Sequence, residues 1–275
     1  MSGASPRPSS TVILLREDGA GRDPFALLLL ERHGSIAFPG AHAFPGGVVD
    51  ATDADAPGAR LPEAQRWAPP AEGDCPPEAL SYWVAAVREL FEEVGILLAE
   101  REGRLVDGPL AAEVAALRAR MLAGEPFGPL LAAAGLVPAT HRLFYFARRV
   151  TPAANPRRWD TRFLVAAAPR GCEVAVDGTE TVSAVWLSPR EALRRHEGGE
   201  ILLFPPTLVT LHDLARFSSL DAVLEDARRR VVRATTPEIV AHGGTTTLSF
   251  PTSAEGHPAG PRLVLRGGRW RASED

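Results

Sequence analysis

The sequence contains no lysine, because all 30 basic residues among its 275 are arginines. A P-loop phosphate contact and a Schiff base both require the ammonium side chain, so both mechanisms are excluded. Arginine remains available to bind two phosphate oxygens at once. The net charge of −4 argues against a general nucleic-acid-binding protein.

Cysteine is also scarce, and no long apolar run is present. Cys75 and Cys172 are too few for a Cys-rich zinc site or a disulfide framework. No apolar stretch approaches the ~20 residues that span a bilayer, and the last residues, Ala-Ser-Glu-Asp, are not a peroxisomal Ser-Lys-Leu signal. We therefore expect a cytoplasmic enzyme with no membrane partner and no nucleic-acid partner.

What the sequence does contain is an acidic helix at residues 85–96. Residues three and four apart share a helix face, so Glu89, Glu92 and Glu93 project together. The apolar side is supplied by Val87, Leu90, Phe91 and Val94. Like charges at this spacing destabilise a bare helix, whereas a divalent cation would reverse the penalty, and carboxylates suit Mg²⁺ or Mn²⁺. The alternative is an acidic surface helix without a metal.

A glycine turn precedes this helix in the sequence Phe44-Pro45-Gly46-Gly47. Glycine allows the backbone to approach a ligand closely. The turn and the run Arg-Glu-Leu-Phe-Glu-Glu-Val-Gly-Ile at 88–96 together resemble the Nudix box of the Nudix hydrolase superfamily. That run matches the second half of the box in full.

The first half of the box departs from the pattern. Residues 54–87 stand where the pattern has seven residues, so an insertion splits the box, and either Asp53 or Glu78 could take the place of its first glutamate. Split boxes of this kind resemble one branch of the superfamily, which includes a peroxisomal coenzyme A diphosphatase. Members of that branch also carry the pattern Phe-(any)-Pro-Gly-Ala-His-(any)-Phe-Pro-Gly-Gly, which the stretch Phe-Pro-Gly-Ala-His-Ala-Phe-Pro-Gly-Gly at 38–47 resembles.

The resemblance implies an α/β protein with the Nudix fold. That fold is a mixed, curved sheet sandwiched between helices (α/β/α), here with a helical or irregular insertion at about 54–77 and a box helix at about 78–94. We assign residues 1–235 to this domain and expect 236–275 to form a β-rich tail packed on it. Residue periodicity predicts strands at 11–15, 25–30, 141–150, 162–168, 182–187, 245–250 and 262–266, and helices at 110–122, 129–134, 189–196, 206–217 and 219–231.

The resemblance also implies metal-dependent hydrolysis of a diphosphate bond. In this pattern Glu92 and Glu93 are metal ligands, Glu89 is a ligand that can also act as the base, and the Gly47 carbonyl completes the set. Arg88 is grouped with the catalytic residues because the box arginine forms an ion pair that orients a glutamate such as Glu92. Bound Mg²⁺ or Mn²⁺ is the expected cofactor.

Candidate residues also lie outside the box. Glu180 precedes a predicted strand and is a candidate base or further ligand, although a solvated loop glutamate is the simpler interpretation. Arg32 and Arg162 are candidates for phosphate binding, and structural ion pairs are their alternative role. His42 could donate to phosphate or cap the glycine turn locally.

The sequence leaves the substrate open within one chemical class. The expected substrate is a small nucleoside diphosphate derivative, with coenzyme A or an acyl-coenzyme A favoured by the branch resemblance. Alternatives are an ADP-ribose or NADH-type dinucleotide pyrophosphatase and a non-catalytic Nudix-like nucleotide-binding module. A homodimer is compatible with the sequence, which does not determine the oligomeric state.

Overall fold

The structure is a computed structural model that describes residues 5–18, 23–34, 40–63, 65, 78–106, 111–242, 244–252 and 254–273. The helices are α1 (Ala79–Val94), α2 (Ala111–Leu122), α3 (Phe127–Ala133), α4 (Pro189–Glu197), α5 (Pro205–Leu214) and α6 (Leu220–Arg229). The strands are β1 (Arg7–Glu17), β2 (Phe25–Arg32), β3 (Ala41–Ala43), β4 (Gly46–Val48), β5 (Ala99–Arg101), β6 (Arg104–Leu105), β7 (Val137–Pro138), β8 (Phe144–Val150), β9 (Trp159–Ala167), β10 (Thr181–Leu187), β11 (Leu202–Leu203), β12 (Ala234–Thr235), β13 (Glu238–His242), β14 (Thr245–Ser249), β15 (Leu263–Arg266) and β16 (Arg269–Ala272).

A mixed sheet forms the centre of the fold. Its strand order is β11-β3-β2-β1-β9-β8-β12, with β10 beside β2 and β4 beside β1. Strand β1 runs parallel to β9 and antiparallel to β2, and β8 runs antiparallel to β9. The same edge of β1 pairs with β2 through residues 15–17 and with β4 through residues 9–11, so β4 brings the glycine turn into the sheet beside β1.

Two hydrophobic cores cover the two faces of this sheet. Because side chains alternate along a strand, Val12 and Leu14 of β1 face one core while Ile13 and Leu15 face the other. Helices α1, α2 and α3 cover the first core, and α4, α5 and α6 cover the second. The layers are helix, sheet and helix, which confirms the predicted fold class.

Helix α1 is the predicted box helix. Its apolar residues Val87, Leu90 and Phe91 are fully buried. Gly95 ends the helix at φ 71°, a left-handed conformation that glycine adopts without strain, and its N–H donates to the Phe91 carbonyl at 3.0 Å. The local sequence therefore decides where this helix stops.

The predicted insertion is described only in part, since residue 64 and residues 66–77 lie outside the described ranges. Within the part that is described, Ala51–Ala54 form a 3₁₀ turn. Gln65 accepts a hydrogen bond from the Tyr145 N–H at 2.7 Å and donates to the Ala227 carbonyl at 3.3 Å. Gln65 thus fastens the insertion to β8 and α6.

The C-terminal residues form an antiparallel sheet with the order β13-β14-β15-β16. Leu248, Phe250 and Leu263 of this segment are buried in the second core. Arg269 donates to the carbonyls of His196 and Ile201, both at 3.1 Å. The segment is therefore packed against the same core that α4 and α5 cover.

Most predicted elements are present, with shifted ends. The strand predicted at 141–150 begins at Phe144, because Thr140–Arg142 form a 3₁₀ turn. Strands β3 and β4 were not predicted from the sequence, since they are short and lie in a glycine-rich stretch. None of the helices in the described ranges is long and apolar enough to cross a bilayer.

Candidate active site

The glycine turn and helix α1 meet at very short distances. The Gly46 N–H donates to Glu93 Oε2 at 2.8 Å. A Cβ on Gly47 would lie 2.5 Å from the Glu89 carboxyl, and a Cβ on Gly46 would lie 2.3 Å from the Ser10 carbonyl oxygen. Because neither position has room for a side chain, the two glycines allow the acidic face of α1 to contact β4.

Arg88 is held by a buried carboxylate. Its Nε lies 2.8 Å from Asp53 Oδ1, and its Nη2 lies 3.0 Å from Asp53 Oδ2. Asp53 also accepts from the Asp50 N–H at 2.7 Å, and its side chain is fully buried. Glu78, the other acid that the sequence left open, is exposed and makes no capping hydrogen bond at the start of α1. Asp53 is therefore the partner of Arg88.

The same guanidinium contacts two of the three glutamates. Nη1 of Arg88 lies 2.9 Å from Glu89 Oε1 and 3.2 Å from Glu92 Oε2. Nη2 also donates to the Val48 carbonyl at 2.9 Å. Arg88 thus links the 3₁₀ turn, β4 and α1, and it fixes the positions of the carboxylates.

Burial and mutual repulsion shift the protonation of this cluster. Burial raises the pKa of Glu89 to about 7, with Arg88 opposing the shift. Burial, reinforced by the charge of Glu89, raises the pKa of Glu93 to about 8. For Arg88, burial alone would lower the pKa, but the hydrogen bond to Asp53 and the charge of Glu89 outweigh it and raise the pKa. In the absence of a cation, the carboxyl groups of Glu89 and Glu93 therefore retain protons near pH 7 that an exposed glutamate would have lost.

The carboxylates are engaged with protein donors in this structure. Glu93 accepts from Gly46, and Glu89 and Glu92 accept from Arg88. Among the described residues, no three His, Cys, Asp or Glu side chains converge closely enough to hold a cation as they stand. Arg88 contacts only Oε1 of Glu89 and Oε2 of Glu92, so one oxygen of each carboxylate remains for a cation.

A cavity of about 1020 Å³ opens at this cluster. The predicted site residues that line it are Arg32, His42, Gly47, Arg88, Glu89, Glu92 and Glu180. Glu93 is buried beside the glycine turn, outside the lining of the cavity. The floor of the cavity is one face of the sheet, with Ser9 and Thr161 joined by a hydrogen bond of 2.6 Å between their hydroxyls.

Glu180 and Arg32 lie on the same side of this cavity. Asp177 organises the loop before β10, since its carboxylate accepts from the N–H groups of Glu180 and Thr181, both at 2.9 Å. The Glu180 carbonyl accepts from the His33 N–H at 2.8 Å, which attaches the loop to the end of β2. The charges of Arg32 and Glu180 both act on the pKa of Glu93, with opposite signs.

His42 lies on β3, between β2 and β11. Burial lowers the pKa of its imidazole, so the ring is neutral at pH 7. Its Nδ1 is buried and has no hydrogen-bond partner among the described residues. His42 is thus a neutral polar group in the wall of the cavity.

Arg162 was predicted to bind phosphate, but it does not line the cavity. Alternation along β9 places Thr161 and Phe163 on the cavity side and Arg162 on the α1 side. Its guanidinium Cζ lies 3.6 Å from the centre of the Tyr82 ring, and only 2% of Arg162 is exposed. In this structure Arg162 packs beneath α1 by a cation–π contact.

The sequence analysis missed other residues of the cavity wall. Arg149 of β8 lines it, as do Ile239, Leu248 and Trp270 of the C-terminal sheet. Arg148 and Arg149 carry no motif, and the only available signal was that adjacent strand residues face opposite sides of a sheet. The position of the C-terminal sheet had no signal in the sequence.

The class of this protein is defined by its fold and by the contact between the glycine turn and the acidic helix: it is a Nudix hydrolase. A crystal structure of a Nudix hydrolase from Alicyclobacillus acidocaldarius superposes with a TM-score of 0.67 at 28% identity, over 81% of this chain and 96% of that one. The family described as the NUDT19 Nudix domain matches residues 58–216. The chain belongs to this family.

Two curated relatives carry the name acyl-coenzyme A diphosphatase NUDT19. The protein of Gallus gallus is 31% identical, and the match covers 78% of this chain and 69% of the relative. The protein of Homo sapiens is 33% identical, and the match covers 71% of this chain and 62% of the relative. The matched region therefore spans about two thirds of the length of these relatives.

Proposed function

We propose that this Nudix hydrolase cleaves the diphosphate bond of coenzyme A or of an acyl-coenzyme A with the help of a divalent cation. The observation that carries the proposal is the cluster of Glu89, Glu92 and Arg88 at one end of a cavity of about 1020 Å³. The names of the two relatives supply the substrate class. Mg²⁺ and Mn²⁺ are both candidate cations, since oxygen ligands suit both.

The donor set at the glycine turn fits such a cation. Glu89, Glu92 and Glu93 lie within about one turn of α1, and the absence of a side chain on Gly47 lets its backbone lie directly against the Glu89 carboxyl. These four groups would hold the metal. When bound, the metal would neutralise charge on the phosphate oxygens and lower the pKa of a water molecule that it binds.

The side chains of the protein would accept the proton of the attacking water, position the glutamates and contact the phosphate groups. Glu89 is placed to accept the proton of the attacking water, whose oxygen bonds to phosphorus as the bridging P–O bond breaks. Asp53 holds Arg88, and Arg88 positions Glu89 and Glu92. Arg32 and His42 lie where they could contact phosphate oxygens, and Glu180 is a second acid in the wall of the cavity.

The rest of the cavity suits a substrate with a long apolar part. Phe44 and Phe163 meet edge to face, with 6.3 Å between ring centres. Further apolar lining comes from the C-terminal sheet through Ile239, Leu248, Phe250 and Trp270. An acyl or pantetheine chain would bury apolar surface against these residues.

The test is a substrate panel with product identification. Coenzyme A, an acyl-coenzyme A, ADP-ribose and NADH are each incubated with Mg²⁺, Mn²⁺ or EDTA, and the products are identified by mass spectrometry. We expect adenosine 3′,5′-bisphosphate and a phosphopantetheine from the first two substrates, with no turnover in EDTA. Faster turnover of ADP-ribose or NADH would replace the proposal with a dinucleotide pyrophosphatase activity.

A further inference from the structure

A row of paired residues crosses the cavity floor from the glycine turn to β8. Val48 of β4 is the register partner of Ser9 in β1, and Ser9 is the partner of Thr161 in β9. Thr161 is in turn the partner of Arg149 in β8. Neighbouring strands are about 4.8 Å apart, so the backbone of Arg149 lies three spacings, roughly 14 Å, from that of Val48. Val48, whose carbonyl accepts from Arg88 of α1, and Arg149 thus lie at opposite ends of this row.

Arg149 is a buried cation without a bound anion. It is 5% exposed, and its Nε has no hydrogen-bond partner. Within the described residues, its guanidinium makes no ion pair, and its closest aromatic contact is Phe250, 5.8 Å from Cζ to the ring centre. Asp213 acts on Arg149 electrostatically but forms no ion pair with it; its Oδ2 lies 3.1 Å from Nη1 of Arg230, and its Oδ1 is buried without a hydrogen-bond partner among the described residues. Burying an unpaired charge is costly, so a ligand that supplies the missing anion would relieve the cost.

The other arginines near the cavity differ from Arg149 in this respect. Arg162 lies on the opposite face of the sheet. Arg158 donates to the Thr151 carbonyl at 3.0 Å, and Arg157 is exposed. Arg32 lies close enough to Glu93 to act on its charge. Among these arginines, Arg149 alone combines burial, a place in the cavity wall and a guanidinium without an anionic partner.

We propose that Arg149 binds the phosphate monoester that the substrate carries away from the bond to be cleaved. This inference rests on the proposed function, under which that group is the 3′-phosphate of coenzyme A or its thioester. A planar guanidinium can hold two oxygens of one phosphate. Phe250 and Leu248 also line this part of the cavity, and apolar surroundings strengthen a charge interaction because they exclude water. Arg149 is therefore a specificity-determining residue.

The test compares coenzyme A with dephospho-coenzyme A, which lacks only the 3′-phosphate. For the wild type we expect kcat/KM on coenzyme A to exceed that on dephospho-coenzyme A by about 10- to 150-fold, the range for hydrogen bonds to a charged group. Arg149→Gln should lose this preference through a higher KM for coenzyme A, with dephospho-coenzyme A changed by less than about twofold. An Arg149→Gln enzyme that keeps the wild-type ratio overturns the proposal.

Arg148→Gln is the matched control. Arg148 is the next residue of β8 but faces the other side of the sheet, where its Nη2 lies 2.7 Å from Asp160 Oδ2. Arg148→Gln should leave the ratio of kcat/KM on coenzyme A to that on dephospho-coenzyme A unchanged. If Arg148→Gln lowers this ratio as much as Arg149→Gln does, the effect is a general one of charge, and a specific contact by Arg149 is overturned. If Arg149→Gln does not fold, Arg149→Met places an apolar chain of similar length beside Phe250, and the same ratio decides.

A binding measurement separates this inference from the proposed activity. Calorimetric titration with adenosine 3′,5′-bisphosphate and with 5′-AMP requires no turnover. Suppose that the protein binds the bisphosphate more tightly than 5′-AMP, that this difference disappears in Arg149→Gln, and that coenzyme A is not cleaved. The phosphate contact would then be supported and the proposed activity rejected. Cleavage of coenzyme A with equal binding of the two nucleotides would retain the activity and reject the contact.

Discussion

The guanidinium of Arg88 and the carboxylate of Asp53, 35 residues apart in the chain, meet through two hydrogen bonds of 2.8 and 3.0 Å. The Asp53 side chain is fully buried, and 13% of the Arg88 side chain is exposed. The 3₁₀ turn that carries Asp53 is thereby tied to the middle of α1. Nη1 of Arg88 donates to both Glu89 and Glu92 and so positions them.

Asp53→Asn should therefore destabilise the protein. The change removes the charge that Nε and Nη2 of Arg88 contact, while Nη1 keeps its contacts with Glu89 and Glu92. We therefore expect a cost of about 1.5–3 kcal/mol, the range for a hydrogen bond to a charged group. Urea unfolding measures the free energy. Glu78→Gln is the matched control, because Glu78 is exposed and makes no capping hydrogen bond. Equal destabilisation by the two substitutions would contradict the assignment of Asp53 as the partner of Arg88.

Glu92→Gln and Glu93→Gln should each lower kcat by several orders of magnitude while the protein stays folded. Each amide keeps the shape of the side chain but loses the negative charge that binds a cation. Glu93→Gln also removes a buried acid, so its free energy of unfolding at pH 8 should equal or exceed that of the wild type. Calorimetric titration with Mn²⁺ should show weaker binding in both variants. Hydrolysis at near wild-type rates by both would reject their role.

Stability of the cation-free protein should fall as pH rises from about 4.5 to about 8. The folded pKa values of Glu89 and Glu93, about 7 and about 8, lie above the ordinary value of 4.5. In this window the unfolded chain has released protons that the folded protein keeps, so the free energy of unfolding decreases with pH. Urea unfolding in EDTA at several pH values measures the slope. A double variant, Glu89→Gln with Glu93→Gln, should flatten the profile; an unchanged slope would assign it to other groups.

Gly46 and Gly47 should differ when each is changed to alanine. Gly46 has φ 152°, and its new Cβ would meet backbone atoms of Ser10 and Thr11, so Gly46→Ala should cost at least about 1–3 kcal/mol. The three atoms nearest the new Cβ of Gly47→Ala all belong to the Glu89 carboxyl group, a side-chain end that can shift where backbone cannot, so this substitution should cost less stability than Gly46→Ala. Displacing Glu89 should nevertheless lower kcat by about 10²-fold. Thermal unfolding and kinetics on the same samples separate the loss of stability from the loss of kcat. Equal losses of stability in the two variants would contradict the prediction.

Two neighbouring residues of β13 test the apolar wall of the cavity. Ile239 is 43% exposed and lines the cavity, whereas Val240 is 49% exposed and does not. Ile239→Asn should raise KM for a long-chain acyl-coenzyme A by about fivefold, equivalent to roughly 1 kcal/mol of lost apolar contact, with less effect on coenzyme A itself. Val240→Asn should change neither value. If both substrates respond equally to Ile239→Asn, the acyl chain does not lie on this wall.

The sequence by itself determined the local parts of the site. The run from Arg88 to Gly95 defines a helix face and its end through the spacing of its own residues. The helix–sheet–helix layers were implied by the resemblance of this run and the glycine turn to the Nudix box. Gly46 and Gly47 predicted that the backbone of the turn lies close to another group. These features depend on residues that are neighbours in the chain.

Only the tertiary structure decided which distant residues complete the site. Alternation shows that Arg148 and Arg149 face opposite sides, as do Thr161 and Arg162, but it does not show which side contains the cavity. That choice depends on which helices cover each face of the assembled sheet. The arrangement of the helices leaves the face that carries Arg149 open to the cavity and buries Arg162 in the core on the other face. Contacts between residues far apart in sequence, which local periodicity cannot encode, likewise selected Asp53 over Glu78 and brought the C-terminal sheet to the cavity wall.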